Sequence, residues 1–345
     1  MTIFPMLSIV MPVYNKLEQT LYMIESIRAN RYQLWELLVV DDGSNEDTIT
    51  VLNQLSCKDS RIKIIRRNRS PKGAQTCRNI GMEQAKGKYI IFFDNDDYVL
   101  PYCLETRVGA MESNPLLDFM VFPTGVIIDD VYTDVAHQSS YGYPIYKDDL
   151  DAFARRQLPF VVWNNIYRVD SLRMANIKWD ENLLSLQDAD FNVRTIVAGL
   201  KYSYFDCPAD LGYRIGQRKE SVSKKFASLS HKNSTLYAIE KYYRMYKDYS
   251  GDKYNSALYN GVLFLYNRAM ADGIDVEYAR LMVQAVKRNS IFYGTLLSLT
   301  VRSSMILQTI MPNKYARQIP MVPYLIEYRH RIKDKRTKIR KLKKQ

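Results

Sequence analysis

Short unbroken apolar runs alternate with stretches of helical spacing along the first third of the chain. Leu7 to Val13, Leu34 to Val40, Ile62 to Ile65, Lys88 to Phe93 and Asp118 to Phe122 read as five strands. Continuous apolar character of this kind belongs to strands buried on both faces. Lys16 to Ala29, with Leu17, Leu21, Ile24 and Ile27 at helical spacing, reads as a helix. So do Glu46 to Leu55, a segment opened by Lys72-Gly73 that carries Arg78 and Asn79, and Cys103 to Glu112. Strand alternating with helix predicts an α/β fold, a mostly parallel sheet with helices on both faces.

Ligands of such sheets bind beyond the carboxyl ends of the strands. Polar clusters stand at three of those ends: Tyr14-Asn15, Asp41-Asp42-Gly43-Ser44 and Asp94-Asn95-Asp96-Asp97. Carboxylates crowded after an apolar run repel one another and persist at low cost only around a cation or in open water. The third cluster therefore predicts a divalent-metal site. Neither a G-x-G-x-x-G after the first strand nor a G-x-x-x-x-G-K-[ST] occurs, so phosphate charge has to be met by other means, and a metal held by Asp96 is the expected one.

Further along, Asp129 to Tyr146 loses periodicity and reads as a long loop. Trp163 could be core or a platform for an acceptor. Ser185 to Leu200 reads as a helix with Asp188 in its first turn. Tyr202 to Phe205 and Leu211 to Ile215 read as short strands. Arg214, Arg218 and Lys219 form either an exposed charge cluster or a diphosphate-facing loop. From Leu229 the pattern is helix after helix. The expected division is a domain over 1–228, a helical region over 229–328 and a basic tail over 329–345.

Composition narrows the function classes. The chain has 345 residues, 47% of them hydrophobic, enough for a full-size core. Its net charge is +12, but +9 of that lies between Arg329 and Lys344, where ten Lys and Arg face one acid, Asp334. The remainder carries about +3, which argues against a nucleic-acid-binding face. That tail is either a solvated end or a basic amphipathic segment lying on an anionic membrane. Ile291 to Met311 is the best candidate for a membrane span, yet Arg302 sits at its middle, so an amphipathic or buried helix is expected. Cys57, Cys77, Cys103 and Cys207 are widely spaced, without a zinc pattern, and fit a reducing cytosol. Met1 to Pro5 lacks the basic start of a signal peptide.

Residues 6 to about 225 resemble a family 2 glycosyltransferase of the GT-A fold. Five pieces carry the resemblance in order: Ser8 to Asn15, Glu36 to Ser44, Lys72-Gly73 through Arg78-Asn79, Asp94-Asn95-Asp96-Asp97 with Pro101 as a D-x-D motif, and Gln187-Asp188-Ala189-Asp190. The resemblance implies a Rossmann-like sheet and inverting, metal-dependent chemistry of the bacterial surface-glycan type. It implies that Pro12, Tyr14 and Asn15 line the base and ribose pocket. Asp41 would accept from a uracil ring or an equivalent base, with Asp42 supporting the turn and Arg78 facing the nucleotide. Asp96 would bind Mn²⁺ or Mg²⁺, Asp94 would reach the ribose or the metal's shell, and Asn95 would support them. Asp188 would be the general base. Gln187 departs from the family, where Glu is frequent, and this leaves Asp190 as the alternative base. The implied reaction moves a sugar from a nucleotide-sugar donor, UDP-linked by preference, to a glycan or lipid-linked glycan acceptor at the cytoplasmic face of the membrane. A non-catalytic sugar-nucleotide-binding or scaffold module is the alternative. A nucleotidyltransferase would carry a glycine-rich basic loop where Tyr14-Asn15-Lys16-Leu17 stands.

Overall fold

The computed structural model describes residues 6–215, 228–270, 275–310 and 316–344. The chain forms two compact units. The first comprises residues 1–144, 159–182 and 187–217. The second comprises 145–158, 183–186 and 218–345. Two short segments before residue 218 thus belong with the helical unit, whereas the sequence suggests one boundary near Ser228.

The first unit opens with β1 (Leu7–Val13), α1 (Leu17–Arg28), β2 (Trp35–Asp41), α2 (Glu46–Lys58), β3 (Ile62–Arg66), α3 (Ala74–Gln84) and β4 (Tyr89–Phe92). β1 pairs in parallel with β2 along its whole length and with β4 from Leu7↔Tyr89 to Val10↔Phe92. Every residue of these three strands is buried, as their unbroken apolar runs require. Past Val10 the β4 partner ends, and Pro12, which has no N–H to give, falls where β1 is paired with β2 alone. α3 lies hard against this strand. A Cβ on Gly81 would come within 2.3 Å of Val10 Cγ1, and Cys77 and Ile80 pack on Val40.

There follow β5 (Tyr98–Val99), α4 (Cys103–Ser113), β6 (Phe119–Val121), β7 (Gly125–Ile128) and β8 (Val131–Thr133). α5 (Asp149–Ala154) belongs to the second unit. The first unit resumes with β9 (Asn165–Arg168), α6 (Val169–Met174), α7 (Gln187–Val197), β10 (Tyr202–Tyr204) and β11 (Leu211–Arg214). The main sheet has the order β10-β6-β9-β4-β1-β2-β3, with β9 antiparallel to both its neighbours. A smaller sheet, β5-β11-β7-β8, stands beside it. The expected loop from Asp129 begins as a hairpin instead. Asp129 and Asp130 take φ of 49° and 63° between β7 and β8, the left-handed pair that matches the twist of hairpin strands.

One buried ion pair secures β11. Arg107 of α4 donates from Nε and Nη2 to the two oxygens of Asp210, each at 2.7 Å, and from Nη1 to the Trp163 carbonyl. Both charged side chains are fully buried. The ring of Trp163 is buried too, stacked at 4.9 Å on Tyr213 of β11.

The second unit contains α5, α8 (Leu229–Ser250), α9 (Asn255–Ala269), α10 (Val276–Asn289), α11 (Ile291–Ile310) and α12 (Val322–Leu342). Residues 329–342, most of the expected basic tail, are the last part of α12. Tyr324, Lys335 and Ile339 are buried, and Tyr328 meets Phe264 of α9 at 5.4 Å. Arg329, Lys333, Lys338, Arg340, Lys341, Lys343 and Lys344 are exposed. α11 buries Gly294, Leu297, Val301 and Ser304 and leaves Phe292, Leu296, Leu299, Ile306 and Ile310 exposed. Among the described residues no helix is long and apolar enough to cross a membrane.

Removing one member of a buried pair leaves an uncompensated charge in the interior. Arg107→Met is expected to destabilise the fold by about 3–5 kcal/mol in urea unfolding, and Arg107→Met with Asp210→Leu to recover most of that loss.

Candidate active site

β1, β2 and β4 run parallel, so their carboxyl ends open at the same edge. Beyond β4 the chain alternates: Asp94 and Asp96 are half-buried, while Asn95 and Asp97 turn inward. Three carboxylates within four residues would repel, and each has its own partner. Asp94 accepts from Arg78 Nη2 at 2.6 Å. Asp96 meets the Lys16 ammonium at 2.9 Å. Asp97 accepts from the Arg214 backbone N–H at 3.1 Å. Burial pushes the Asp97 carboxyl well above the usual range, with Asp96 and Asp94 adding to it. Arg214 also donates from Nε to the Asp96 carbonyl at 3.0 Å and pairs with Asp130. It therefore stitches the strand-end loop to β11 and is neither an exposed charge nor aimed outward. Asn95 gives its amide to Thr20 Oγ1 at 2.8 Å, an internal support.

Arg78 is the hub. Its side chain is 5% exposed, and its guanidinium lies 4.4 Å over the face of Trp179. Besides Asp94 it reaches Gln187 Oε1 at 3.3 Å and stands 3.7 Å from Asp188 Oδ1. Gln187 passes its own amide to Gln75 Oε1 at 2.8 Å, so the residue that departs from the family pattern is a neutral bridge between α3 and α7. Asp188 occupies the first turn of α7, where the helix dipole favours an anion. Its side chain is half-buried, with 29% of its surface exposed. That withdrawal from water pushes its pKa up to about 6, against the pull of Arg78 and with a smaller push from Asp94. Asp190 faces elsewhere: it is 1% exposed and paired with Arg194 at 2.6 Å. The geometry brings Asp94, Arg78 and Asp188 together and leaves Asp190 outside the group.

At the ends of β1 and β2, Asp41 accepts from the backbone of Gly43 and Ser44 at 3.1 and 2.9 Å, closing the turn after β2. Asp42 accepts from Arg67 Nε at 2.7 Å and from the Gly73 N–H at 3.1 Å, and so fixes the start of α3. Asn15 accepts from the Asn45 N–H and donates its own N–H to Ser44 Oγ. The Tyr14 ring is 49% exposed, with the Lys72 ammonium 3.5 Å above it. Pro12 is buried in β1, and Arg218 lies outside the described residues. Lys16 and Trp179 join the site without a role expected from the sequence, and Lys72 and Gln75 join it from the segment that carries Arg78. The signal for Lys16 was its place directly after Tyr14-Asn15 at the end of a strand.

Among the described residues no three His, Cys, Asp or Glu side chains converge into a cage for an ion. The oxygen set here is of another kind. Mg²⁺ and Mn²⁺ accept one or two carboxylates and complete their shell with water and phosphate oxygens, and Asp96, 26% exposed, with Asp94 two residues before it, suits that requirement.

A family model described as Glycosyl transferase family 2 matches residues 8–174. A curated relative from Methanocaldococcus jannaschii, itself named as an uncharacterized glycosyltransferase, is 30% identical over 224 residues, 64% of this chain and 74% of the relative. The chain belongs to the family 2 glycosyltransferases. The family match takes in Asp41, Arg78, Asp94 and Asp96 and stops short of Asp188. A family-level relative with a stated activity, the Escherichia coli UDP-Glc:alpha-D-GlcNAc-diphosphoundecaprenol beta-1,3-glucosyltransferase WfaP, is 35% identical over 108 residues, 31% of this chain and 42% of the relative. The match spans 15% to 45% of the length of the first curated relatives. The solved structure of S. aureus TarS residues 1–349 in complex with UDP-GlcNAc superposes with a TM-score of 0.64 at 16% identity, covering 98% of this chain and 91% of that one. The likeness shows the GT-A fold.

The Asp188 carboxyl is expected to titrate near pH 6 by ¹³C NMR of labelled aspartate. Arg78→Met should move that titration upward and Asp94→Asn downward, because the first removes a charge that stabilises the anion and the second a charge that opposes it.

Proposed function

We propose that this chain is an inverting glycosyltransferase that moves a sugar from a nucleoside-diphosphate sugar, UDP-linked by preference, to a hydroxyl of a glycan or lipid-linked glycan. The observation that carries the reading is the Arg78 guanidinium shared by Asp94 at 2.6 Å and Asp188 at 3.7 Å, which ties an acid of α7 to the D-x-D motif; burial pushes that acid's pKa up to about 6. A base poised near neutrality can take the acceptor's proton late in the step, as that hydroxyl attacks the anomeric carbon. The bond from that carbon to the diphosphate breaks on the opposite face, which inverts the centre through an oxocarbenium-like transition state. Asp96, with Asp94, would hold a Mn²⁺ or Mg²⁺ ion, whose charge would stabilise the departing diphosphate. Tyr14 offers an open ring face beside the Asp41 turn for a base, and Asn15 fixes that corner. The name of the WfaP relative supports a lipid-linked acceptor. Five exposed cations on α12, two more directly after it, and the exposed apolar residues of α11 support peripheral contact with an anionic membrane at its cytoplasmic face.

A donor panel assayed for nucleoside diphosphate release, with and without Mn²⁺, tests the chemistry. The expected result is metal-dependent release that Asp96→Ala abolishes and that Asp188→Asn slows in kcat by about 10²–10⁴, with KM for the donor little changed. Release that ignores both substitutions would sink the reading. Flotation with phosphatidylglycerol vesicles tests the surface. Gln at Lys338, Arg340, Lys341, Lys343 and Lys344 should weaken binding by more than about tenfold, each cation contributing roughly 1 kcal/mol near an anionic surface. These substitutions leave the buried Ile339 in place, which truncation would not.

A further inference from the structure

The backbone of Asn15 and Lys16 is left-handed, with φ of 53° and 55°, a conformation that side-chain-bearing residues seldom adopt. Two sets of hydrogen bonds hold it. Asn15 is tied to Ser44 and Asn45 on one side. On the other, the Lys16 carbonyl accepts from the Thr20 N–H at 3.0 Å and from Thr20 Oγ1 at 2.9 Å. Thr20 Oγ1 in turn accepts from the Asn95 amide at 2.8 Å. The middle residue of the D-x-D motif therefore anchors the carbonyl of Lys16, while the ammonium of Lys16 meets the motif's last carboxylate at 2.9 Å. A constrained backbone has been set so that this cation lands on Asp96.

We infer that Lys16 is a resident counter-ion of Asp96, which a divalent cation displaces on binding. The inference rests on reading Asp96 as the metal ligand. The three acids of the loop differ in how firmly they are held. Asp97 is met by a backbone N–H, which cannot leave. Asp94 is met by a guanidinium that is 5% exposed and stacked on Trp179. Asp96 is met by a side chain that is 40% exposed, and exposed pairs of this kind are weak. Lysine presents a compact, strongly hydrated charge on a flexible stem, so its departure leaves no buried group unsatisfied. Exchange of +1 for +2 at Asp96 strengthens the attraction to the carboxylate and turns the ammonium's neighbourhood repulsive. The displaced ammonium then stands free at the end of β1 to meet the donor's diphosphate, for which the chain has no glycine-rich cradle.

Mn²⁺ titration of the donor-free full chain, read by electron paramagnetic resonance of the free ion, tests this. Lys16→Met should bind Mn²⁺ about three- to tenfold more tightly than wild type, and Lys16→Gln should behave alike. Lys72→Met removes a nearby cation that lies on Tyr14, and should stay within about twofold of wild type if pairing with Asp96 is what matters. With Mn²⁺ saturating, UDP should bind Lys16→Met several-fold more weakly. Lys16 variants that bind Mn²⁺ no more tightly than wild type, or absence of Mn²⁺ binding in all of them, would overturn the exchange. Asp96→Asn separates the two layers. Binding lost in Asp96→Asn yet indifferent to Lys16 defeats the exchange alone, whereas binding that survives Asp96→Asn defeats the metal reading beneath it.

Discussion

Like charges crowded at the end of one buried strand govern this unit. Asp94, Asp96 and Asp97 follow a strand with no exposed residue, so water alone cannot dilute their repulsion. Their partners arrive from three places far apart in sequence: Arg78 from α3, Lys16 from the end of β1, and Arg214 from β11. Each of those elements has to be in position before the carboxylates can be. The small sheet makes sense in that light. β11 is held beside the strand-end loop by the fully buried Arg107–Asp210 pair, and its last residue then closes the turn over Asp97. A strand of four residues is thereby part of the electrostatics of the site.

Arg78 shares one positive charge between two anions of different duty. Its contact with Asp94 is short and its contact with Asp188 is longer, so it restrains the second carboxyl without fully suppressing its rise in pKa. A glutamate at position 187 would add an anion to this cluster. Gln187 instead bridges Arg78 and Gln75 without charge, so Arg78 serves two carboxylates and not three.

The five apolar runs and the helices between them were legible because unbroken apolar character marks a strand buried on both faces, and β10 and β11 were legible as short strands. β5, β7, β8 and β9 were not read, and their pairing comes from the sheets around them. The strand-end clusters announced the site, since few other arrangements tolerate so many acids after an apolar run. The parts that tune it, Trp179 under Arg78 and Lys16 over Asp96, are single residues whose types fit many places. Asp188 stands with Arg78 while Asp190 is paired elsewhere, and a sequence signal for that difference existed. Arg194 stands four residues after Asp190, the spacing of a helical ion pair, which already gave that acid a partner. The basic tail read as a separate segment because charge dominates it, while Tyr324 and Ile339, which pin it down, are spaced too far apart to form a run.

The close approach of α3 to β1 at Gly81 acts as a ruler. Arg78 lies one helical turn before Gly81, so the depth to which α3 settles on Val10 sets how far its guanidinium reaches toward Asp94 and Asp188. The point at which Arg78 meets those two acids is therefore written into the thickness of a helix–sheet interface. Surface loops can lengthen, shorten or change sequence, and the reach of Arg78 toward its two acids stays where the missing side chain puts it.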